Sequence, residues 1–340
     1  MKKNYKCKSC GGNLFFDPES QNIKCEYCNS ELIINNTTNL PTKNKYNENL
    51  KYEVDKNVNQ VFECQICNSK ISQCSDKDIT RCPSCGGIEL IQVQENGVHP
   101  MQIIPFKISN DKAGELLKKW IHSRKFAPNN LKKMAKLKKI SGAYTPIYLF
   151  DLNASTKYSA TCVNNHKNKQ GKIVRSSSYH IHDVENETFT NYIFSANKNF
   201  ESSIFHKMDG FNYDETHTYL GDYLLGFPGI STDFNVQESY NKVEDEIKEN
   251  EYRKIKSRLN FRYDEVHFFK ADTTISNVQN GYLYVPIWTN HYKYKNKDYH
   301  CYINGQTGKV TGKSPKSFWK ILGLILGISA IVLLLIFLAK

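Results

Sequence analysis

The longest uninterrupted apolar stretch of the chain is Ile321–Ala339, which holds 19 consecutive uncharged positions. An α-helix rises about 1.5 Å per residue, so this stretch nearly matches the thickness of a bilayer's hydrocarbon core. It has no polar face, whereas a helix packed on a soluble core would show one. The pattern predicts one transmembrane helix, and we assign residues 317–340 to a membrane anchor.

The residues that flank this stretch predict its orientation. Phe318 and Trp319 suit the interfacial region of a bilayer. Lysines are concentrated on the N-terminal side of the stretch, with Lys340 alone after it; they are Lys309, Lys313, Lys316 and Lys320. Positively charged flanks stay in the cytoplasm. We therefore predict a protein that crosses the cell (cytoplasmic) membrane once and has its N-terminal bulk in the cytoplasm.

Residues 95–316 mix helical and strand patterns, which predicts an α+β core. Apolar residues at helical spacing predict helices over 111–126 and Asn129–Ile140, and a highly charged helix over Glu238–Asn260. Gly142–Ala160 has the pattern of two strands. Further strands are predicted at Lys172–Val184, Thr188–Ala196, Asp264–Ile275, Gly281–Tyr294, Lys297–Ile303 and Lys309–Val310, the last two joined by a tight turn at Asn304–Gly305.

A short internal echo suggests that this core is duplicated. Tyr144-Thr-Pro-Ile-Tyr148 resembles Tyr284-Val-Pro-Ile-Trp288, and each segment precedes a tyrosine-rich hairpin. We interpret the echo as two similar α+β units. A proline inside each strand predicts an edge strand or a bulge, because proline lacks the N–H that a ladder needs.

The net charge of +12 over 340 residues is unevenly distributed. Met101–Ile140 holds 11 Lys and Arg against two acids, which makes the two helices predicted at 110–140 basic. Three interpretations remain open: a solvated face, a surface for anionic lipid headgroups, or a nucleic-acid contact. The neighbouring membrane anchor favours lipid over nucleic acid.

Four Cys-x-x-Cys pairs supply the strongest chemical signal, and they form two matched sets with an offset of 57 residues. Within each set 14 residues separate the two pairs. Four thiolates at this spacing can surround one Zn2+ in a structural site. The predicted ligands are Cys7, Cys10, Cys25 and Cys28 in the first set, and Cys64, Cys67, Cys82 and Cys85 in the second. We predict two structural zinc ions and no other cofactor; disulfides are the alternative, which a cytoplasmic location disfavours.

The residues around these cysteines fit zinc ribbons. Gly or Asn follows the second cysteine of each pair and suits a turn with positive φ; these residues are Gly11, Asn29, Asn68 and Gly86. Segments this short bury too little surface to fold without a metal. Four basic residues could offset the −2 charge of each site or simply be solvated: Lys6, Lys8, Lys24 and Arg81. Cys74, Cys162 and Cys301 fall outside both sets and are expected to be ordinary thiols.

The domain organisation follows from these segments. We predict zinc ribbon 1 at residues 1–35, a polar linker at 36–60, zinc ribbon 2 at 61–94, the core at 95–316 and the anchor at 317–340. The linker is rich in Asn, Lys and Thr. Such a segment is expected to give the ribbons reach away from the bilayer.

Two motifs that resemble catalytic or metal sites are rejected. Gly308–Ser314 looks like a phosphate-binding loop but has three residues between its glycines where four are needed, and the anchor follows it. His180-x-His182 on a predicted strand places both imidazoles on one face, but the sequence offers no further metal ligands beside it. The pattern of residues contains no nucleophile and base at a characteristic spacing, so no enzyme is predicted and no catalytic residue is named.

Five core motifs accompany the paired ribbons: Ile104–Ile108, Lys119-Trp120, Phe126–Pro128, Gly142–Asp151 and Asn304–Lys309. With the ribbons, these motifs resemble bacterial membrane-anchored TFIIB-type zinc-ribbon proteins, which are sometimes labelled primosomal or helicase-like. The resemblance covers nearly the whole chain. It implies an association with a phage-shock-like coiled-coil protein and an SPFH, or flotillin-like, protein in a membrane-stress scaffold. The helicase label has no support in the residues, since no nucleotide-binding motif is present.

Together these features predict a non-enzymatic membrane adaptor whose ribbons recruit cytosolic proteins to the bilayer. The alternative is a membrane-tethered nucleic-acid-binding protein that uses the ribbons and the basic helices; an enzyme housed in the core ranks third. Gly323-x3-Gly327 in the anchor has the small-residue spacing that can pair two membrane helices. Self-association through this helix is therefore a further expectation.

Overall fold

The computed structural model describes residues 5–35, 38–46, 60–74, 79–93, 100–134, 140–208, 210–295 and 297–338. Within these ranges the chain is mostly β, with one sheet of thirteen strands and one of three. Five α-helices accompany them. The core is mostly β and is followed by one apolar helix, so the predicted α+β core is confirmed in part.

Each cysteine-rich segment folds as a small antiparallel β module. Ribbon 1, residues 5–35, has β2 between β1 and β3, and ribbon 2, residues 60–93, has β6 between β7 and β8. The strands of the N-terminal part are β1 (Leu14–Asp17), β2 (Asn22–Cys25), β3 (Glu31–Leu32), β4 (Thr38–Asn39), β5 (Asn44–Lys45), β6 (Gln60–Cys64), β7 (Lys70–Gln73) and β8 (Leu90–Val93).

The rest of the chain supplies the core strands and all five helices. The strands are β9 (Gln102–Ile103), β10 (Ser141–Lys167), β11 (Ile173–Ser195), β12 (Thr216–Thr218), β13 (Gly229–Ile230), β14 (Glu265–Tyr294), β15 (Lys297–Asn304) and β16 (Val310–Gly312). The helices are α1 (Asn110–Ser123), α2 (Asn129–Met134), α3 (Ser202–Lys207), α4 (Val236–Arg262) and α5 (Phe318–Leu338). The second half of the predicted helix Asn129–Ile140 includes residues 135–139, which lie outside the described residues.

The two echo segments lie beside each other at the centre of the large sheet. β10 and β14 pair antiparallel, with Thr145 opposite Val285. A short parallel strand flanks each of them, β13 beside β10 and β9 beside β14. Each is also followed by a long antiparallel neighbour, β11 or β15. The core therefore contains two units with the same arrangement of strands. The short strand that precedes each long strand in the chain pairs with the long strand of the other unit.

The two prolines of the echo lie within central strands, so the prediction of edge strands was wrong. Pro146 lies between the ladder of β13, at Tyr144, and that of β11, which begins at Ile147. Pro286 lies at the corresponding junction between β9 and β15 on β14. A position where one neighbouring strand ends and the next begins needs no ladder N–H, so proline fits there.

Three strands are much longer than their sequence patterns predicted. β10, β11 and β14 have 27, 23 and 30 residues, so the predicted breaks within them are not turns. The ladders shift register instead, near Asp151 in both β10 pairings. Asp151 accepts hydrogen bonds there from the Asn191 backbone and from Lys43. On β14 this β-bulge coincides with the predicted break after Ile275, whereas the predicted break of β11 at residues 185–187 lies in a regular ladder.

Beyond the register shift near Asp151, the outer parts of β10, β11 and β14 form a three-stranded sheet that extends from the core, and we call it the arm. The 30 residues of β14 span roughly 95 Å at about 3.2–3.4 Å per residue. Helix α4 runs along one face of the arm and starts with a capping box between Asn235 and Glu238. Its buried positions follow helical spacing: Val236, Ser239, Val243, Ile247, Glu251, Ile255 and Leu259. This seam covers the inner face of the arm with apolar contacts, for example to Tyr158 and Cys162.

Residues 38–46, the described part of the predicted linker, are attached to the core. β4 pairs with β12, and β5 pairs with β14. Lys43 forms an ion pair with Asp151 at 2.7 Å, and Thr42 donates its backbone N–H to the Gln102 side chain. A polar composition alone does not distinguish a free linker from a segment that adds short strands to a sheet, so residues 38–46 were misinterpreted.

Helix α5 is long and apolar enough to cross a membrane. Its first turn is attached to the loop between α1 and α2. The Ser317 N–H donates to the Phe126 carbonyl, and Lys320 Nζ donates to the Ala127 carbonyl and to Asn129 Oδ1 at 2.8 and 2.9 Å. The basic helices therefore lie where the apolar helix begins.

Candidate metal centres

The eight predicted ligands form two separate clusters of four thiols, Cys7, Cys10, Cys25 and Cys28, and Cys64, Cys67, Cys82 and Cys85. Within each cluster the sulfur atoms all lie within 4.8 Å of one another. In the first cluster the Sγ atoms of Cys7 and Cys28 are 3.6 Å apart, and those of Cys10 and Cys25 are 3.4 Å apart. In the second, Cys64–Cys85 and Cys67–Cys82 are both 3.6 Å apart.

These spacings suit a tetrahedral metal ion. With metal–sulfur bonds of about 2.3 Å, the edge of a tetrahedron is about 3.8 Å, close to the spacings found here. The donor set is all sulfur, which favours a soft or borderline ion. Both clusters could therefore hold a metal ion without rearrangement of the chain.

All four Cys-x-x-Cys loops share one backbone geometry. In each loop the first cysteine's carbonyl accepts the N–H of the residue four positions later, at 2.8–3.2 Å, and its N–H donates to the carbonyl five positions later, at 2.8–3.0 Å. The residue at the fourth position has positive φ, as predicted: Gly11 (+72°), Asn29 (+56°), Asn68 (+57°) and Gly86 (+76°). This turn points both sulfur atoms of a pair inward, which explains why Gly or Asn is needed there.

Hydrogen bonding distributes the protons of the clustered thiols unequally. The hydroxyl of Ser30, 3.1 Å from the sulfur of Cys7, lowers the pKa of that thiol to about 5. In ribbon 2, the hydrogen bond between Cys67 and Cys82 lowers the pKa of Cys67 and raises the pKa of Cys82. Like charges this close disfavour full ionisation, so four thiolates require a cation among them.

The basic residues near the ligands mostly have other partners. Lys24 forms an ion pair with Asp17, and Lys6 donates to the Asn13 side chain at 2.7 Å. Arg81 donates to the Gly86 carbonyl in the last cysteine loop at 3.2 Å. Of the three, Arg81 is the one bonded within a cysteine loop, so the predicted charge compensation is best supported there.

Ribbon 1 is packed on the core rather than held apart from it. Phe16 is fully buried, and its ring lies 5.2 Å from that of Tyr223 and 6.3 Å from that of Phe227. Its backbone N–H donates to the Leu225 carbonyl, and the Gln21 side chain donates to the Phe106 carbonyl. The sequence analysis predicted a zinc ribbon here but did not indicate that it covers the core.

Ribbon 2 is joined to the core even more directly. β7 pairs with β13, so the ribbon is part of the large sheet. Asn199 donates to the Cys67 carbonyl and to Ser69 Oγ at one cysteine loop. At the other loop, Thr289 donates to the Pro83 carbonyl at 2.9 Å, and the His291 ring lies against Gly86. Sequence reasoning missed these contacts because their partners lie more than 130 residues away.

The opposite side of each ribbon exposes apolar side chains. In ribbon 2, Ile66, Ile88 and Ile91 are 57, 66 and 49% exposed. Ile91 lies on β8. Ile66 lies over Gly87, directly before Ile88, so these two side chains mark an exposed surface beside the second metal centre. We call this surface the isoleucine patch. In ribbon 1, Tyr27 of the second cysteine loop is 74% exposed and lies over Gly12 of the first loop.

The remaining candidate residues lie elsewhere. Cys74, Cys162 and Cys301 are buried, as predicted for ordinary thiols. His180 and His182 lie on β11, on the outer face of the arm, and His180 is near Thr161 at 3.2 Å. Among the described residues, a third cluster of potential metal ligands was not predicted, and it is acidic: Glu185, Glu187 and Glu251. The Lys254 ammonium pairs with all three carboxylates, so a cation already fills this group.

Comparisons with known proteins give one informative match. The chain is similar to the protein described as "Uncharacterized protein YdjG" of Bacillus subtilis, with 25% identity over 334 residues, which is 96% of this chain and 94% of that protein. No family model matches the chain. No solved structure matches it. The similarity therefore covers nearly the whole length of both chains.

Proposed function

We propose that this protein is a membrane-anchored adaptor that holds two structural zinc ions and binds a cytosolic protein partner. The observation that carries the proposal is the two-sided character of ribbon 2. One side is part of the core sheet, and the other presents the isoleucine patch beside the metal centre. Exposed apolar side chains on a rigid, metal-supported surface are typical of protein-binding sites.

The identity of the metal is proposed from its ligands. Zinc is the usual ion of closed four-cysteine sites and has no redox chemistry that would threaten the thiols. Both clusters have four donors and spacings close to a tetrahedral edge. The role proposed for zinc is to fix the cysteine loops against the core.

The orientation in the membrane is proposed from charge. Exposed lysines lie near the same end of α5 as Lys313, Lys316 and Lys320; they are Lys112, Lys118 and Lys119 on α1, and Lys125 directly after it. This end would face the cytoplasm. The basic surface of α1 would then lie next to anionic headgroups, each lysine contributing on the order of 1 kcal/mol. A chain that stops at Lys316 should lose stable membrane association, and protease added outside intact spheroplasts should not digest the core.

The proposed partners are a phage-shock-like coiled-coil protein and an SPFH protein, which the resemblance of the core motifs implies. The test is capture of each purified partner by the full-length chain in detergent, with and without nuclease. Ile66→Glu with Ile88→Glu should reduce capture at least tenfold while leaving the metal content unchanged. Phe261→Glu is the matched control, since Phe261 is 96% exposed but lies at the far end of α4.

Point substitutions are the appropriate tool because removing the ribbons would damage the core. Deletion of residues 1–93 would expose the surface under Phe16 and remove β7 from the large sheet. If nuclease abolishes capture, and the chain binds nucleic acid with a steep salt dependence, the nucleic-acid alternative replaces the adaptor proposal.

A further inference from the structure

The arm has a long strand edge that β11 leaves open. Among the described residues, β11 pairs with β10 alone. The Val184 N–H donates to the Asp183 carboxylate rather than to β10. In an antiparallel ladder alternate residues face the partner strand, so the even-numbered residues of this stretch direct their N–H and C=O groups to the open edge. From Arg175 to Phe189 the register with β10 has no shift, and the edge is regular.

The opposite edge of the arm is less suited to pairing. The ladder of β14 with β10 shifts between the Ser159 and Thr161 positions, opposite Phe268, which has φ of +52°. A second positive φ, +53°, occurs at Asn277. Bulges of this kind interrupt the row of outward N–H and C=O groups. The regular β11 edge is therefore the better template for another strand.

The charges along β11 are segregated. Basic residues come before His180, at Lys172 directly ahead of the strand and at Arg175, and acidic residues come after His180, at Asp183, Glu185 and Glu187. An antiparallel partner with the same sequence would place its acidic half beside the basic half of the first strand. A two-fold axis does this automatically, because it reverses the strand direction. The edge is thus complementary to itself.

We propose that two copies of this chain pair through their β11 edges, antiparallel, with His180 opposite its equivalent. In this register Arg175 faces Glu185 of the second copy, and Tyr179 faces Ile181, each contact occurring twice. Both residues of each pair lie on the same face of the sheet, since all four positions are odd-numbered. The pairing joins two three-stranded arms into one six-stranded sheet.

The rest of the molecule leaves room for this pairing. The apolar seam of α4 contacts Cys162 of β10 and Val266 of β14, and the same cluster reaches Ile181 of β11. These contacts lie on one face of the sheet, so the backbone groups of the β11 edge are not part of them. Lys254 and Arg258 reach Glu185 across the face of the sheet, not along its edge. The two-fold axis of this pairing is perpendicular to the sheet, so insertion of both α5 helices into one bilayer requires the axis to run along the membrane normal.

A photo-crosslinking amino acid at Tyr179 tests the proposal in the full-length chain in lipid nanodiscs. Gly327→Leu in the same chain removes the small-residue spacing of α5, so pairing through that helix does not contribute. The expected product has twice the chain mass and joins position 179 to residues near Ile181. Arg175→Glu should reduce its yield at least fivefold, whereas Lys157→Glu, an equal charge change on an exposed residue of the central strand, should not.

Three results would overturn the proposal: no adduct of doubled mass, adducts that map to another region of the second copy, or equal effects of the two charge reversals. Adducts within one chain do not count, because the Tyr179 ring lies 5.9 Å from that of Tyr263. An adduct formed in cells with a different protein would assign this edge to that partner instead.

Discussion

At the residue scale, the cysteine loops show why one glycine is not equivalent to another. Gly11 and Gly86 hold the same position in their loops, with φ of +72° and +76°. A side chain at Gly11 would meet no atom within 4 Å, whereas a Cβ at Gly86 would lie 2.9 Å from the His291 ring. The first glycine is needed for backbone conformation alone, and the second also for the contact between ribbon 2 and the core.

Gly86→Ala should therefore destabilise the protein more than Gly11→Ala. Both substitutions place alanine in a left-handed conformation, which costs about 1 kcal/mol. Gly86→Ala must also displace His291, which adds about 1–3 kcal/mol. Urea unfolding of the zinc-loaded chains measures the difference; equal losses would mean that the ring moves aside at no cost.

His291 makes stability depend on pH. Burial, and then the neighbouring His300 ring, lowers the pKa of His291 from 6.5 to about 4. Above pH 6.5 both folded and unfolded chains are neutral at this residue. As pH falls towards 4, the unfolded chain binds a proton at His291 before the folded chain does, so the free energy of unfolding decreases. The decrease is about 1 kcal/mol at pH 5.5 and reaches about 3 kcal/mol once His291 is protonated in both states.

The measurement is the free energy of unfolding between pH 7 and 5.5, with metal content checked at each pH. His291→Gln should flatten this part of the profile, since glutamine can still donate to the Pro83 carbonyl but does not titrate. A variant that keeps the full slope would assign the effect to other groups.

At the element scale, the arm depends on the seam of α4. Ile255 is fully buried against the inner face of β10 and β14, while Lys256 next to it is exposed. The helix is otherwise highly charged, so its attachment rests on a few apolar residues with helical spacing. The outer arm is therefore expected to open separately from the core.

Ile255→Ala should weaken the outer arm by about 2–4 kcal/mol, because it leaves a cavity under the helix. Hydrogen exchange should accelerate in the outer half of β10 and in the neighbouring part of β11, but not around Tyr144 at the centre of the core. Lys256→Ala is the control and should change neither region. Uniform acceleration would show that arm and core unfold together.

At the scale of the whole molecule, the two ribbons and the core form one packed body in the described residues. Phe16 joins ribbon 1 to the aromatic cluster around Phe106, and β7 joins ribbon 2 to the sheet. Loss of a metal ion should therefore weaken more than its own ribbon. This differs from the prediction of two modules on a linker.

The zinc-loaded chain should contain two zinc ions, and Cys25→Ser or Cys82→Ser should each leave one. Both substitutions should also lower the unfolding temperature of the core, because each ribbon covers part of it. Cys162→Ser, in the arm, should retain both ions. Elemental analysis and thermal unfolding test these outcomes; one ion or none in the parent chain, loaded under reducing conditions, would refute two zinc centres.

The features that could be predicted from sequence depend on local spacing. The two clusters of thiols, the positive φ at Asn29 and Asn68, and the apolar helix α5 all follow from residues close together in the chain. Helix α4 was also predicted nearly in full, since its charged pattern needs no distant partner to be recognised. These features are determined locally, so a single sequence is sufficient to find them.

What only the tertiary structure decided is which of these parts touch. Residues 276–280 separate two predicted strands in the sequence, yet they lie within the continuous strand β14, because β10 supplies partners on both sides of a bulge. The same holds for the ribbons, whose hydrophobic residues could have packed internally but cover Tyr223 and pair with β13. Long-range pairing depends on the shape and hydrogen-bonding groups of segments far apart in the chain, and no local pattern of polar and apolar residues records that information.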